Sequence, residues 1–148
     1  MNPTDRKTDA AMAALLRTIA PNTTSRHLLY PITTDRTGQL TAEPRPLGGP
    51  RDTTPLSLLL GGLRIGLTRF PSAAAGIDGY AVARAGASSV RAADRSGRLH
   101  IARYTRGVNE PEVEHHGDPQ GLRRLPWERA LVALAQALPA PIGVYFRE

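Results

Sequence analysis

Ser88-Ser89-Val90-Arg91-Ala92-Ala93-Asp94-Arg95-Ser96-Gly97-Arg98-Leu99-His100-Ile101-Ala102-Arg103-Tyr104-Thr105 reads as two strands folded about one tight turn. Asp94 suits the opening of a type I turn and Gly97 the left-handed position that closes it, so residues 88–93 and 98–105 are expected to pair antiparallel. Side chains on a strand alternate between its faces. Leu99, Ile101 and Arg103 therefore share one face, and Arg98, His100, Tyr104 and Arg106 share the other.

The same chemistry recurs upstream. Asp35-Arg36-Thr37-Gly38 separates residues 26–34 from residues 39–43, a second hairpin in which Pro31 points to an edge or a bulge. Residues 80–84 form another strand, residues 63–67 alternate apolar and polar at the strand period, and Ile142, Val144 and Phe146 do so near the end of the chain. Three segments show the helical period instead. Thr8 or Asp9 caps a stripe of Met12, Leu15, Leu16 and Ile19; Thr54-Pro55 opens a short helix that Gly61-Gly62 ends after Leu60; Pro126 opens a stripe of Trp127, Leu131, Leu134, Ala135 and Leu138.

These elements predict one α+β domain over residues 1–148. Its antiparallel sheet has about five to seven strands, with an N-terminal, a short middle and a C-terminal helix packed mainly on one face. A Pro/Gly-rich loop at 43–55 and an acidic loop at 109–120 interrupt the pattern. The order of elements resembles small sheet-based dimerisation modules of the roadblock or profilin kind, which implies a homodimer.

Composition narrows the chemistry. The 148 residues include no cysteine, which excludes disulfides, thiolate nucleophiles and Cys-ligated metals. Lys7 is the only lysine, which excludes a phosphate-binding P-loop and its Gly-Lys-Ser/Thr ending. The apolar run at 56–67 contains Gly61-Gly62 and Arg64 and is too short to span a bilayer. A cytoplasmic protein without cofactor is expected.

A net charge of +6 and a pI near 10.7 favour acidic partners. Most of the arginines are scattered, as GC-rich coding would place them, but Arg84, Arg91, Arg95, Arg98, Arg103 and Arg106 crowd residues 79–108 against Asp94 alone. Arg91, Arg95, Arg98, His100, Arg103, Tyr104 and Arg106 are thus candidates to contact nucleic acid, most simply DNA, the cations on phosphates and Tyr104 stacking on a base. The segment that follows is acidic and carries two of the four histidines. Glu112, Glu114, His115, His116 and Asp118 are candidate ligands for a divalent metal that could activate water. In an extended chain Glu112, Glu114, His116 and Asp118 share a face, and His115 points away. Residues 112–116 are similar to the opening strand of HNH nucleases, but no histidine follows His116 and no asparagine follows Asn109.

Three functions fit these features. The first is a small non-enzymatic accessory protein that binds nucleic acid through the arginine-rich hairpin. The second is a protein-interaction or homo-oligomerisation module in which basic and acidic patches meet. The third is a metal-dependent hydrolase centred on the Glu/His segment.

Overall fold

The computed structural model describes residues 2–49, 53–117 and 124–139. Within them seven strands form one antiparallel sheet: β1 (His27–Thr34), β2 (Leu40–Ala42), β3 (Arg45–Leu47), β4 (Ile77–Ala83), β5 (Ser89–Asp94), β6 (Leu99–Arg103) and β7 (Glu112–His116). The order is β2-β1-β4-β5-β6-β7, with β3 pairing the other half of β1. Helices α1 (Pro3–Leu16), α2 (Leu56–Arg69) and α3 (Pro126–Gln136) complete the expected α+β class, and a 3-10 turn over Pro71–Ala74 leads into β4.

Both Asp-x-Ser/Thr-Gly turns form as their residues dictate. Asp35 Oδ1 accepts the Thr37 hydroxyl at 2.6 Å and the N–H groups of Thr37 and Gln39 at 2.8 and 3.0 Å. Asp94 Oδ1 accepts the Ser96 hydroxyl at 2.5 Å and the N–H groups of Ser96 and Arg98 at 2.9 and 3.3 Å. Gly38 and Gly97 close the turns at φ of 84° and 89°, a region costly to any residue with a Cβ. The second turn sets the β5–β6 register, Ala93 opposite Leu99 and Arg91 opposite Ile101.

The helices divide between the two faces. α2 and α3 share one, where Leu56, Leu60, Trp127, Leu131 and Leu134 meet Leu29, Tyr80, Val82, Leu99 and Ile101. α1 covers the other alone, laying Met12, Leu15 and Leu16 with the following Ile19 over Ile32, Ala81, Ala83, Val90, Ala92 and Ala102. Four alanines on that face let the helix approach closely. Fully burying side chains such as Met12 and Leu16 is worth roughly 1.5–3 kcal/mol each.

Several expectations are corrected. Residues 63–67 are not a strand: α2 runs through Gly61-Gly62, because Leu56, Leu59, Leu60, Leu63 and Leu67 keep a helical stripe for which two glycines, at about 1 kcal/mol each, are no match. α1 begins not at Thr8 or Asp9 but at Pro3, with Asn2 Oδ1 accepting the Asp5 N–H at 2.7 Å. The 43–55 loop contributes β3, and the 109–120 loop contributes β7, because each lies beside an unpaired strand edge whose ladder it completes. The expectation of an edge or a bulge at Pro31 is met by the second: β3 pairs residues 27–29 of β1 and β2 pairs residues 32–34, leaving Tyr30 and Pro31 at the gap, next to a register shift at Ile32/Thr33. The strand expected at 142–146 lies outside the described residues.

Candidate metal centre

Strand alternation and register bring the centre together. On β6, His100 points to the α1 face with Ala102 and Tyr104, and Arg98 just before the strand does the same. On β7, His115 is registered opposite His100 and shares that face with Val113. Above them lies α1, in which Asp5 and Asp9 are one turn apart and Asp9 precedes Met12 and Leu16 on the buried side. Asp9 and His100 are 6% and 0% exposed, whereas the His115 side chain, on the outermost strand, keeps 23% and gives the centre its access to solvent.

Three donor atoms converge. His100 Nδ1 lies 2.7 Å from His115 Nδ1, and Asp9 Oδ1 lies 3.7 Å from each of them. Among the described residues these form the only cluster of three groups able to hold a metal ion. Zinc bonds of 2.0–2.2 Å to nitrogen and oxygen give tetrahedral ligand-to-ligand distances of about 3.4 Å. Two of the three edges already lie within about 0.3 Å of that figure, and the third needs the imidazoles to part by about 0.7 Å.

Two of the three ligands are held from behind. Asp94 spends one carboxylate oxygen on the hairpin turn and turns the other to His100 Nε2 at 2.9 Å. That carboxylate accepts the Nε2 proton of His100, and in the neutral ring this turns the Nδ1 lone pair to the cluster. His115 Nδ1–H then donates to it. Arg98 grips both Asp9 oxygens, Nε to Oδ1 at 2.9 Å and Nη2 to Oδ2 at 2.6 Å, and reaches Asp5 at 3.7 Å. Asp5, Asp9 and Asp94 against one guanidinium leave a surplus of two negative charges beside two imidazoles, which suits a divalent cation.

The electrostatics favour the neutral, ligating form of His115. Burial pulls the His115 pKa below the ordinary imidazole value; the Asp9 carboxylate opposes this, while His100, Arg98 and His116 reinforce it, so the ring is neutral at pH 7. Burial alone would raise the Asp94 pKa, but hydrogen bonds from His100, Ser96 and the Arg98 N–H outweigh it, and the carboxyl lies below its usual value.

Of the candidate metal ligands only His115 belongs to this centre. Glu112, Glu114 and His116 occupy the opposite face of β7, where Glu114 pairs with Arg103 at 3.1 Å and with His116 at 3.2 Å. The Glu114 pKa is lowered, first by its hydrogen bond to His116 and then, against an opposing effect of burial, by Arg103. Asp118 lies outside the described residues.

The candidate nucleic-acid residues do not share an exposed face. Arg91 is buried on the α3 side, where its Nε meets Glu128 at 3.1 Å and its guanidinium lies over Trp127 with Arg84 close by. Arg95 donates to the carbonyls of Ile77 and Pro139, and Tyr104 donates to those of Leu16 and Ile19 at the end of α1. Arg98 and His100 are drawn into the centre. Only Arg103 and Arg106 are exposed, and Arg103 is paired with Glu114. The expected parity of β6 is observed; α1, rather than solvent, covers the face that carries His100.

In the sequence Asp9 looks like a helix cap, and that local role masks its place in the centre. Its position three before Met12 and seven before Leu16 was the available signal: a carboxylate inside an apolar stripe requires a buried partner. No protein-family model, curated protein or solved structure matches the chain. No helix among the described residues is long and apolar enough to cross a membrane.

Proposed function

We propose that this chain is a metal-binding protein that holds one first-row divalent cation, Zn2+ by the chemistry of its donors, on Asp9 Oδ1, His100 Nδ1 and His115 Nδ1. The observation that carries this reading is the convergence of three ligand atoms from α1, β6 and β7, two of them fixed by the partners Arg98 and Asp94. Two imidazoles and one carboxylate favour zinc or a neighbouring transition ion over calcium or magnesium, which prefer oxygen throughout.

Three protein ligands leave a tetrahedral position open, the arrangement found where a metal activates water. The reaction class this supports is metal-assisted hydrolysis, with access from the His115 side. Binding the ion requires the Nδ1 proton of His115 to leave the space between the rings, which a switch to the Nε2–H tautomer achieves.

Isothermal titration of chelator-stripped protein with Zn2+ tests the reading. One equivalent is expected to bind, His115→Ala to weaken binding by more than about 100-fold, and His116→Ala to leave it unchanged. His115 sits on an edge strand and is partly exposed, so the variant should retain the native circular dichroism spectrum. Absence of Zn2+ binding to the parent protein, or an equal loss in the two variants, would overturn the reading.

A further inference from the structure

On the opposite face, far from the metal ligands in the topology, the first half of α2 packs into the core through Leu56 and Leu60, while its second half stands over an open space. Its principal contacts are with α3 and the 3-10 turn. Beneath it an open-sided cavity of about 520 Å3 is floored by Leu29, Pro31 and Tyr80 and roofed by Leu63 and Leu67, with Ile77 at one side. Protein interiors are close-packed, so a space of this size is not a packing defect but falls in the range of small-ligand pockets. Thr33, Thr41, Glu43 and Arg45 line its polar side.

The charges around it are uneven. Glu43 and Arg45 offset one another at the lining, while α2 contributes Arg64 and Arg69 and no acid in its first turn or beyond. Arg45 has no hydrogen-bond or ion-pair partner among the described residues, and its planar fork matches a carboxylate in two parallel hydrogen bonds. We infer that this cavity binds a medium-chain alkyl carboxylate, its hydrocarbon body lying between α2 and β1 and its carboxylate on Arg45. The exposed apolar residues Leu58, Leu63, Ile65 and Phe70, all on or just after α2, make this helix the most apolar part of the surface among the described residues and offer an amphiphile a path of entry.

Decanoate, decanol and decylamine titrated into the full chain and followed by 1H–15N spectra test the inference. Decanoate is expected to shift the amides of residues 29–33, 41–45 and 63–67, to bind at one site and to bind about tenfold more tightly than decanol. Arg45→Ala should reduce decanoate to the affinity of decanol without altering decanol itself, and Thr41→Trp, which fills the space, should abolish both. Decylamine binding as tightly as decanoate, an Arg45→Ala variant with undiminished decanoate affinity, or no saturable shift would each refute it. The readout is independent of metal, so failure here leaves the zinc titration untouched.

Discussion

Asp94 shows how one residue can link the strongest local signal in the chain to its most unusual cluster. One oxygen closes the β5–β6 turn and the other fixes the proton of His100. Asp35 occupies the equivalent place in the first turn without the histidine, which isolates the turn's own contribution. Its carboxyl is held below the ordinary aspartate value of 3.8, first by the Thr37 hydroxyl and then by the Gln39 N–H. A lowered folded-state pKa means the unfolded chain binds protons first on acidification, so this contribution is complete above about 3.8 and disappears as pH falls through the folded-state value. A carboxyl 13C titration should place the Asp35 midpoint below 3.8; a midpoint at or above it would rule out the turn geometry.

The arginines divide by burial in the same residue-by-residue way. Removing Arg91 takes from the buried Glu128 carboxylate its ion-pair partner and leaves it the Leu125 N–H at 2.9 Å and the neighbouring Arg84, so Arg91→Ala is expected to cost about 3 kcal/mol in denaturant unfolding. Arg103→Ala breaks a pair whose side chains are 50% and 41% exposed and should cost no more than about 1 kcal/mol. Similar costs for the two would contradict the placement of Arg91 on the α3 side. Sequence could not separate these residues, because charge is a local property and the partner Glu128 lies 37 positions away.

At the scale of elements, strands and turns were largely legible and their covers were not. The Asp-x-Ser/Thr-Gly turns, the parity of β6 and the outward turn of His115 from Glu112, Glu114 and His116 all follow from local rules. β3 and β7 look like loops in the sequence because their neighbours, β1 and β6, are what make them strands. The alternation at 63–67 spans too few residues to separate strand from helix, and Gly61-Gly62 tipped the reading toward a break. Continuity of α2 can be measured. A Cβ at Gly61 or Gly62 meets nothing within 4 Å, so Ala at either position should stabilise the protein by about 0.5–1 kcal/mol in thermal or denaturant unfolding. Neutral or destabilising results at both would mean that the helix stops there. Gly79→Ala behaves oppositely, because its Cβ would come within 2.5 Å of the Ala93 carbonyl oxygen across the β4–β5 pair.

For the molecule as a whole, the deciding feature is that helices cover both faces of the sheet. Two helices on one face account for Trp127 and the apolar stripe of α3, as the sequence indicated. α1 on the other face converts a seemingly basic surface into an interior in which Arg98 meets Asp5 and Asp9, and His100 meets His115. The net charge of +6 therefore says little about the hairpin, whose cations are mostly spent inside the fold. The metal reading rests on that enclosure, since three distant segments must hold their donors together before any ion arrives.

Long-range 1H–15N spectra of the histidine side chains, recorded with and without one equivalent of Zn2+, address that claim most directly. Nδ1 of His100 and His115 should shift to the metal-bound range while His100 Nε2, held by Asp94, stays protonated. His27, whose Nδ1 accepts the Ala85 N–H at 3.0 Å, and His116 on the outer face of β7 should be unchanged. Four histidines that respond alike, or His100 and His115 that do not respond at all, would show that the buried cluster is not a metal centre.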